Sequence, residues 1–490
     1  MIRNYQVTVS AGHGGPRSHI GSHALSAAGS AVAGGVLLPF AVSVTVLRKL
    51  LLAIMILDIP LQIGAHLFWS EELGESGAVG GLEVSVTTVA LCSLYLLWFV
   101  GHVSRRETGP TVSLSPALPL ALYLMFEAVS LLAARNPTVG LYEVFLTVQM
   151  LLLYVYLINW VRTRREVAFV IKILLLGLVL EAGIMIAVKI SGHDVQIPGL
   201  PGHTILAGEP DGAEEFSRLG GTLVSPNVAG SYLSIMLTVV IGLLLLTRLR
   251  AWYKTVALIS ISLGIIALLF TYSREGWLAL FCSTVFLCCV SWRGLRLNKR
   301  LMVAGAMAAV LVSLLSDTEL SRRLRDNDDS GAHSRIALNK VAIRMIEDHP
   351  IIGVGANKFT LNLRNYATRE FMGEWLYAVH NKYLLIWAET GLGSLLAYLW
   401  FLAASLRRGW QCWKHKDPLY SPPALALVCG VCALMICDMF QSDRGRPLVQ
   451  LLMVLTALIG TTWSWMKSTS NGHRGSPIRG EAILARQQLT

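Results

Sequence analysis

Residues 380–401 read HNKYLLIWAETGLGSLLAYLWF. The apolar run from Tyr383 to Phe401 is long enough to cross a bilayer, whose hydrocarbon core takes about 20 mostly apolar residues per helix. His380 stands where a polar stretch beginning near Asp317 meets that run. A titratable imidazole at such a junction is placed for chemistry on a membrane-bound substrate.

Working outward, the composition agrees with a membrane class. Hydrophobic residues make up 54% of the 490 and charged residues 14%, and the mean hydropathy is +0.57, too apolar for a soluble chain of this length. Twelve segments qualify as spans: 50–69, 81–103, 113–134, 141–161, 167–190, 226–247, 252–270, 275–292, 300–316, 378–403, 423–441 and 447–466. The fold class is therefore all-α, a polytopic membrane helix bundle of about 12 transmembrane helices. Residues 31–47, rich in Gly, Ala and Val, read as interfacial or re-entrant. No short apolar core follows directly on a basic start, so nothing at the N-terminus reads as a cleavable signal.

Basic residues set the orientation, because cytoplasmic loops retain Lys and Arg. Arg48-Lys49, Arg105-Arg106, Arg162/Arg164/Arg165, Arg248/Arg250/Lys254, Arg293/Arg296/Lys299/Arg300 and Arg407/Arg408/Lys414/Lys416 all fall on one side, with the basic tail. Both ends are then cytoplasmic, and the net charge of +11 is mostly a topology signal. No basic stripe interleaved with aromatics marks the outward loops, so nucleic acid is not an expected partner. The chain divides into a lead, 1–47; N-terminal spans, 48–190; an outer loop, 191–225; central spans, 226–316; a large outer loop, 317–377; C-terminal spans, 378–466; and a cytoplasmic tail, 467–490.

In the large loop, Leu338, Val341, Ala342, Met345 and Ile346 recur at helical spacing. They predict an amphipathic helix that lies on the membrane or packs over the bundle, ended by His349-Pro350 with Gly353 and Gly355 in a tight turn. The eight cysteines fall in spans or cytoplasmic loops, which implies no disulfide framework. Cys429 and Cys432 have CxxC spacing but lie within an apolar span, where small residues pack helices.

Three residues are candidates for the chemistry. Arg218 is the one strong base in 191–225, among Asp194, Glu209, Asp211, Glu214 and Glu215, and Gly220-Gly221 follows it. It either pairs with Glu214 or Glu215, or reaches an anionic headgroup, whose phosphate oxygens a guanidinium binds bidentately. Arg274 sits in a nearly loopless outward hairpin, against the positive-inside bias. It is either an interfacial anchor beside Glu275 and Trp277 or a second phosphate ligand, with Ser273 offering a hydroxyl donor. His380 is either a cap or polar contact, or an imidazole that takes a proton from a hydroxyl. Two arginines and a histidine at one leaflet suit glycosyl transfer from a lipid diphosphate to an alcohol. Glu389, nine residues further along the same span, neighbours Gly391 and Gly393 and reads mainly as a structural hydrogen-bonding group at a close helix contact, as do Asp58, Glu127, Glu143, Glu181 and Asp438.

Arg218-Leu-Gly-Gly-Thr-Leu-Val-Ser-Pro226-Asn227, Ser273-Arg274, His349-Pro350-Ile-Ile-Gly353-Val-Gly355 and His380-Asn381-Lys-Tyr-Leu, followed by Glu389-Thr-Gly391-Leu-Gly393, resemble the O-antigen ligase and Wzy-type polymerase superfamily over about 218–395. The resemblance implies a glycosyltransferase of the bacterial inner membrane that works on the periplasmic face without a metal or other cofactor. Its donor would be an undecaprenyl-diphosphate-linked glycan, and its acceptor a lipid A-core sugar or another glycan. Arg218 and Arg274 would grip the diphosphate and His380 would activate or orient the acceptor hydroxyl, with Asn381, Ser273 and Glu389 as supporting groups. Direct attack would invert the anomeric centre. The Gly-Gly-Thr-Leu-Val-Ser segment after Arg218 departs from the family's usual Gly-Thr-Phe, which touches sugar fit and not the arginine. Ligase stands slightly ahead of polymerase, with protein O-glycosylation a further branch. A flippase or transporter ranks lower, because such proteins bind cargo near the midplane, often in inverted repeats, and none is visible here.

Overall fold

The computed structural model describes residues 44–75, 78–104, 113–133, 137–196, 204–205, 218–292, 329–367, 377–442 and 445–472. The chain forms two compact units, Met1–Leu51 and Leu52–Thr490. In the first, residues 44–51 are helical. Everything below concerns the second.

The unit opens with helical residues 52–61 (α1), followed by β1 (Gly64–Leu67), α2 (Glu71–Glu75), β2 (Leu82–Ser85), α3 (Val86–Ser104), α4 (Leu118–Ser130), α5 (Pro137–Trp160) and α6 (Arg164–Ser191). A two-residue strand pair, β3 (Val195–Gln196) and β4 (Thr204–Ile205), leads toward α7 (Pro226–Leu246), α8 (Ala251–Thr271) and α9 (Arg274–Ser291). After these come α10 (Asp329–Asp348), α11 (Phe359–Tyr366), α12 (Lys382–Lys414), α13 (Ser421–Cys437) and α14 (Arg446–Gly472). Nine helices among the described residues are long and apolar enough to cross a membrane, and Ser421–Cys437 is a shorter apolar helix. With closed backbone hydrogen bonding in each span, the chain is an all-α, multi-pass membrane bundle. The expected span 300–316 and most of the segment 31–47 lie outside the described residues.

One expected span is corrected. The apolar reading ran 50–69, but the helix stops at residue 61 and Gly64–Leu67 pairs antiparallel with Leu82–Ser85. The cause is local. Gln62 takes a left-handed φ of 51°, and the buried Asp58 carboxylate accepts the Ile63 N–H at 2.8 Å, turning the chain out of the helix. Hydropathy counts the apolar residues that follow, but does not register an acid that binds the backbone five residues on. For the same reason the expected span 81–103 begins as strand, and its helix starts at Val86.

α7 is buried along almost its whole length among α8, α9 and α13. Small residues allow this closeness. A Cβ on Gly230 would stand 2.4 Å from that of Ser273, and one on Gly276 2.8 Å from the Gly230 carbonyl oxygen, so α7 and α9 touch backbone to backbone there.

The amphipathic helix packs over the bundle. All five residues read as its apolar face are buried in α10, in a cluster with Phe359, Leu363, Ala378, Val379, Leu385 and Ala388 from α11 and the start of α12. The turn after α10 then interlocks with α12. Val354 N–H donates to the Ala388 carbonyl at 2.9 Å, Gly355 N–H to that of Glu389 at 2.8 Å, and Leu392 N–H to that of Pro350 at 3.1 Å. These bonds replace intrahelical ones and break α12 at Gly391, whose φ is +79°. A side chain there would meet the Ile351 carbonyl oxygen at 1.9 Å, so the position requires glycine. Two motifs whose starts are 40 residues apart in sequence, His349–Gly355 and Glu389–Gly393, are one structural lock.

Candidate functional site

The start of α7, the end of α8, the starts of α9, α12 and α14 and the residues after α13 meet at one end of the bundle. A cavity of about 440 Å³ opens there, lined by residues from β1 to β2, from the first turn of α7, and by Tyr377, His380, Phe440, Gln441, Ser442 and Gly445.

His380 is half-buried in its wall. Its Nδ1 lies 3.1 Å from the Ala378 carbonyl oxygen and 3.5 Å from Ser442 Oγ. A carbonyl only accepts, so the bond puts the proton on Nδ1 and leaves the lone pair on Nε2, which has no hydrogen-bond partner among the described residues. Tyr377 meets the ring edge-on at 6.4 Å. Burial, then the charge of Arg335, pull its pKa below the usual imidazole value, and the Ala378 carbonyl offsets part of this. The site thus favours a neutral imidazole with an open acceptor nitrogen.

Arg218 is tied to the end of α8 and the start of α7. Its Nε donates to the Thr271 carbonyl at 3.2 Å, its guanidinium donates to Asn227 Oδ1 at 2.6 Å, and the next residue, Leu219, donates its N–H to the Phe270 carbonyl at 3.0 Å. Asn227 lines the cavity with His380. The structure therefore connects Arg218 to the His380 cavity through one amide. The alternative partners Glu214 and Glu215 lie outside the described residues.

Arg274 is the first residue of α9 and is exposed, three residues past the Thr271 carbonyl that holds Arg218. Neither arginine is among the cavity-lining residues; Arg218 reaches the lining through Asn227. Lys or Arg at a helix start opposes the helix dipole, so the position of Arg274 is not explained by helix stability.

The three supporting residues are occupied structurally. Asn381 caps α12, its Oδ1 accepting from the Tyr383 and Leu384 N–H groups, each at 3.1 Å. Ser273 caps α9, its Oγ accepting the Gly276 N–H at 3.3 Å. Glu389 accepts backbone N–H groups of Asn357 at 3.3 Å and Phe359 at 2.5 Å, fixing the start of α11. Near it, burial lowers the Lys358 pKa, partly offset by Glu389.

Arg446 was not singled out by the sequence reading. It is fully buried at the start of α14, paired with Asp58 and, through Nε at 2.9 Å, with Glu83. Asp58 also accepts from the Thr87 N–H at 3.0 Å and hydroxyl at 2.7 Å. Hydropathy begins the span at residue 447 and treats a flanking base as a topology mark. The signal was nevertheless present: like Arg274, Arg446 stands at the end of a span that the charge bias assigns to the outer side.

No curated protein matches the chain. Residues 259–399 match the family model described as O-Antigen ligase. The segment that carries Arg274, the Gly353 turn, His380 and Glu389 is thus similar to the O-antigen ligase family.

Proposed function

We propose that the protein transfers a glycan from undecaprenyl diphosphate to an acceptor hydroxyl on the periplasmic face, as an O-antigen ligase with a lipid A-core acceptor. The observation that carries this reading is the His380 cavity, with an open Nε2 on one wall and Asn227, the partner of Arg218, on another. The acceptor oxygen attacks the anomeric carbon and its proton passes to His380 Nε2. The bond from that carbon to the diphosphate oxygen breaks, and undecaprenyl diphosphate leaves with the electron pair. Arg218 and Arg274 balance the charge that grows on the leaving diphosphate, a stabilisation that increases toward the transition state. One displacement inverts the anomeric centre. This chemistry assigns no step to a metal.

The closest second reading is a Wzy-type polymerase, because the same site serves an acceptor that is itself a lipid-linked repeat.

A deletion strain distinguishes the two. Loss of the lipopolysaccharide ladder with accumulation of lipid-linked polymer is expected; single repeats capping the core would show a polymerase instead. Complementation with Arg218→Ala or Arg274→Ala is expected to leave at most about one-tenth of the ladder, since loss of one charge-stabilising donor costs roughly 10²–10³ in rate. Wild-type ladders from both variants, at equal protein levels, would remove the diphosphate role.

A further inference from the structure

The hairpin that interrupts the first apolar run has a surface the transfer step does not use. In β1 and β2, His66 pairs directly with Glu83, so their side chains stand on the same face of the hairpin, and both line the His380 cavity. Trp69 follows β1 and lines it as well. Its ring lies 4.7 Å from that of His66 and is seated on two glycines. A Cβ on Gly74 would meet it at 2.5 Å, and one on Gly80 at 2.7 Å. The indole packs against the backbone at both glycines, yet it is 52% exposed. A large aromatic braced on one side and left half open suits a stacking platform better than core filling.

Glu83 supplies the polar half. Arg446 holds its Oε1 at 2.9 Å. Oε2 makes no hydrogen bond among the described residues, and the side chain keeps 16% of its surface exposed. An ion-paired carboxylate only accepts hydrogen bonds. This pairing of an aromatic face with a fixed acceptor matches a pyranose ring, whose C–H face carries slight positive charge toward the π cloud and whose edge carries hydroxyl donors. It does not match a diphosphate, which the carboxylate would repel.

We propose that His66, Trp69 and Glu83 form the acceptor-sugar subsite: the pyranose that presents its hydroxyl to His380 stacks on Trp69 and donates a second hydroxyl to Glu83 Oε2, while Arg446 positions that carboxylate. The assignment rests on the glycan-transfer reading for its catalytic consequence, but the sugar contact itself is testable without transfer.

The test uses the full chain in lipid nanodiscs, lipid A-core isolated from cells lacking the polymer as acceptor, and a lipid-linked glycan as donor. Trp69→Ala is expected to raise the acceptor KM by about tenfold, the equivalent of roughly 1.4 kcal/mol, with donor KM and kcat within about twofold. Trp69→Phe keeps a stacking face and restores most of the loss; Glu83→Gln weakens acceptor use without touching donor KM. An unchanged acceptor KM in Trp69→Ala, or a rise in donor KM instead, overturns the subsite. Saturation-transfer NMR with the delipidated core oligosaccharide separates the two proposals. Binding that survives in His380→Ala but vanishes in Trp69→Ala supports the subsite even if the wild-type chain transfers nothing, a result that would defeat the transfer reading alone. Binding unaffected by Trp69→Ala, in a chain whose transfer requires His380, defeats the subsite alone.

Discussion

His380→Ala is expected to lower the transfer rate by about 10²–10⁴-fold, the range a positioned general base contributes, with donor binding and the yield of folded protein unchanged. The sidedness of the ring is the reason. Nδ1–H is committed to the Ala378 carbonyl at 3.1 Å, so Nε2 is the nitrogen that takes the acceptor proton. The pH profile has a definite sign. Burial and Arg335 lower the pKa of His380, so the neutral form persists to lower pH than for an ordinary imidazole at about 6.5. The acidic limb of the rate should therefore have its midpoint below that value. Arg335→Gln removes a positive neighbour and should move the acidic limb upward. A limb at or above the ordinary value in the wild-type chain, or one that Arg335→Gln leaves in place, would show that His380 is not the group titrating.

Arg446→Ala is expected to destabilise the protein by about 3–5 kcal/mol, because removing one partner of a buried pair leaves an uncompensated charge. Here the loss falls on two carboxylates. Asp58, 1% exposed, would keep its bonds from Ile63 and Thr87 but lose its cation, and Glu83 would lose the group that holds it. The damage should concentrate where α1, the hairpin and α14 meet. A melting curve of the detergent-solubilised variant should shift strongly to lower temperature, and the double change Asp58→Asn, Arg446→Gln should recover part of it, because neither residue is then charged. A variant that melts with the wild type would mean that the pair is not the fastening it resembles.

The candidate residues were legible one at a time. Arg218, Arg274 and His380 stand out in the sequence because charged or titratable groups at the outward ends of apolar segments are costly and need a reason. The periodic face of α10 was read correctly, since a 3.6-residue period reports burial directly. Other features depend on partners far along the chain. That Asn381, Ser273 and Glu389 are taken up by caps and backbone bonds follows from where Gly276, Asn357 and Phe359 come to lie. The hairpin escaped notice because Gly64–Trp69 is apolar enough to continue a helix, and only the Asp58 bond to Ile63 ends it.

The sequence by itself determined the class and the inventory: apolar runs of bilayer length must close their backbone hydrogen bonds as helices, and the charges between them mark the span ends. Tertiary structure decided which ends meet. Glycine contacts such as Gly230 against Gly276 bring α7 and α9 together, and the Gly391 lock seats the loop on α12. The buried Arg446 then draws α14 to Asp58 and Glu83, which places the hairpin beside His380. Those choices depend on close packing and buried charge pairs between segments hundreds of residues apart, and no local periodicity encodes them.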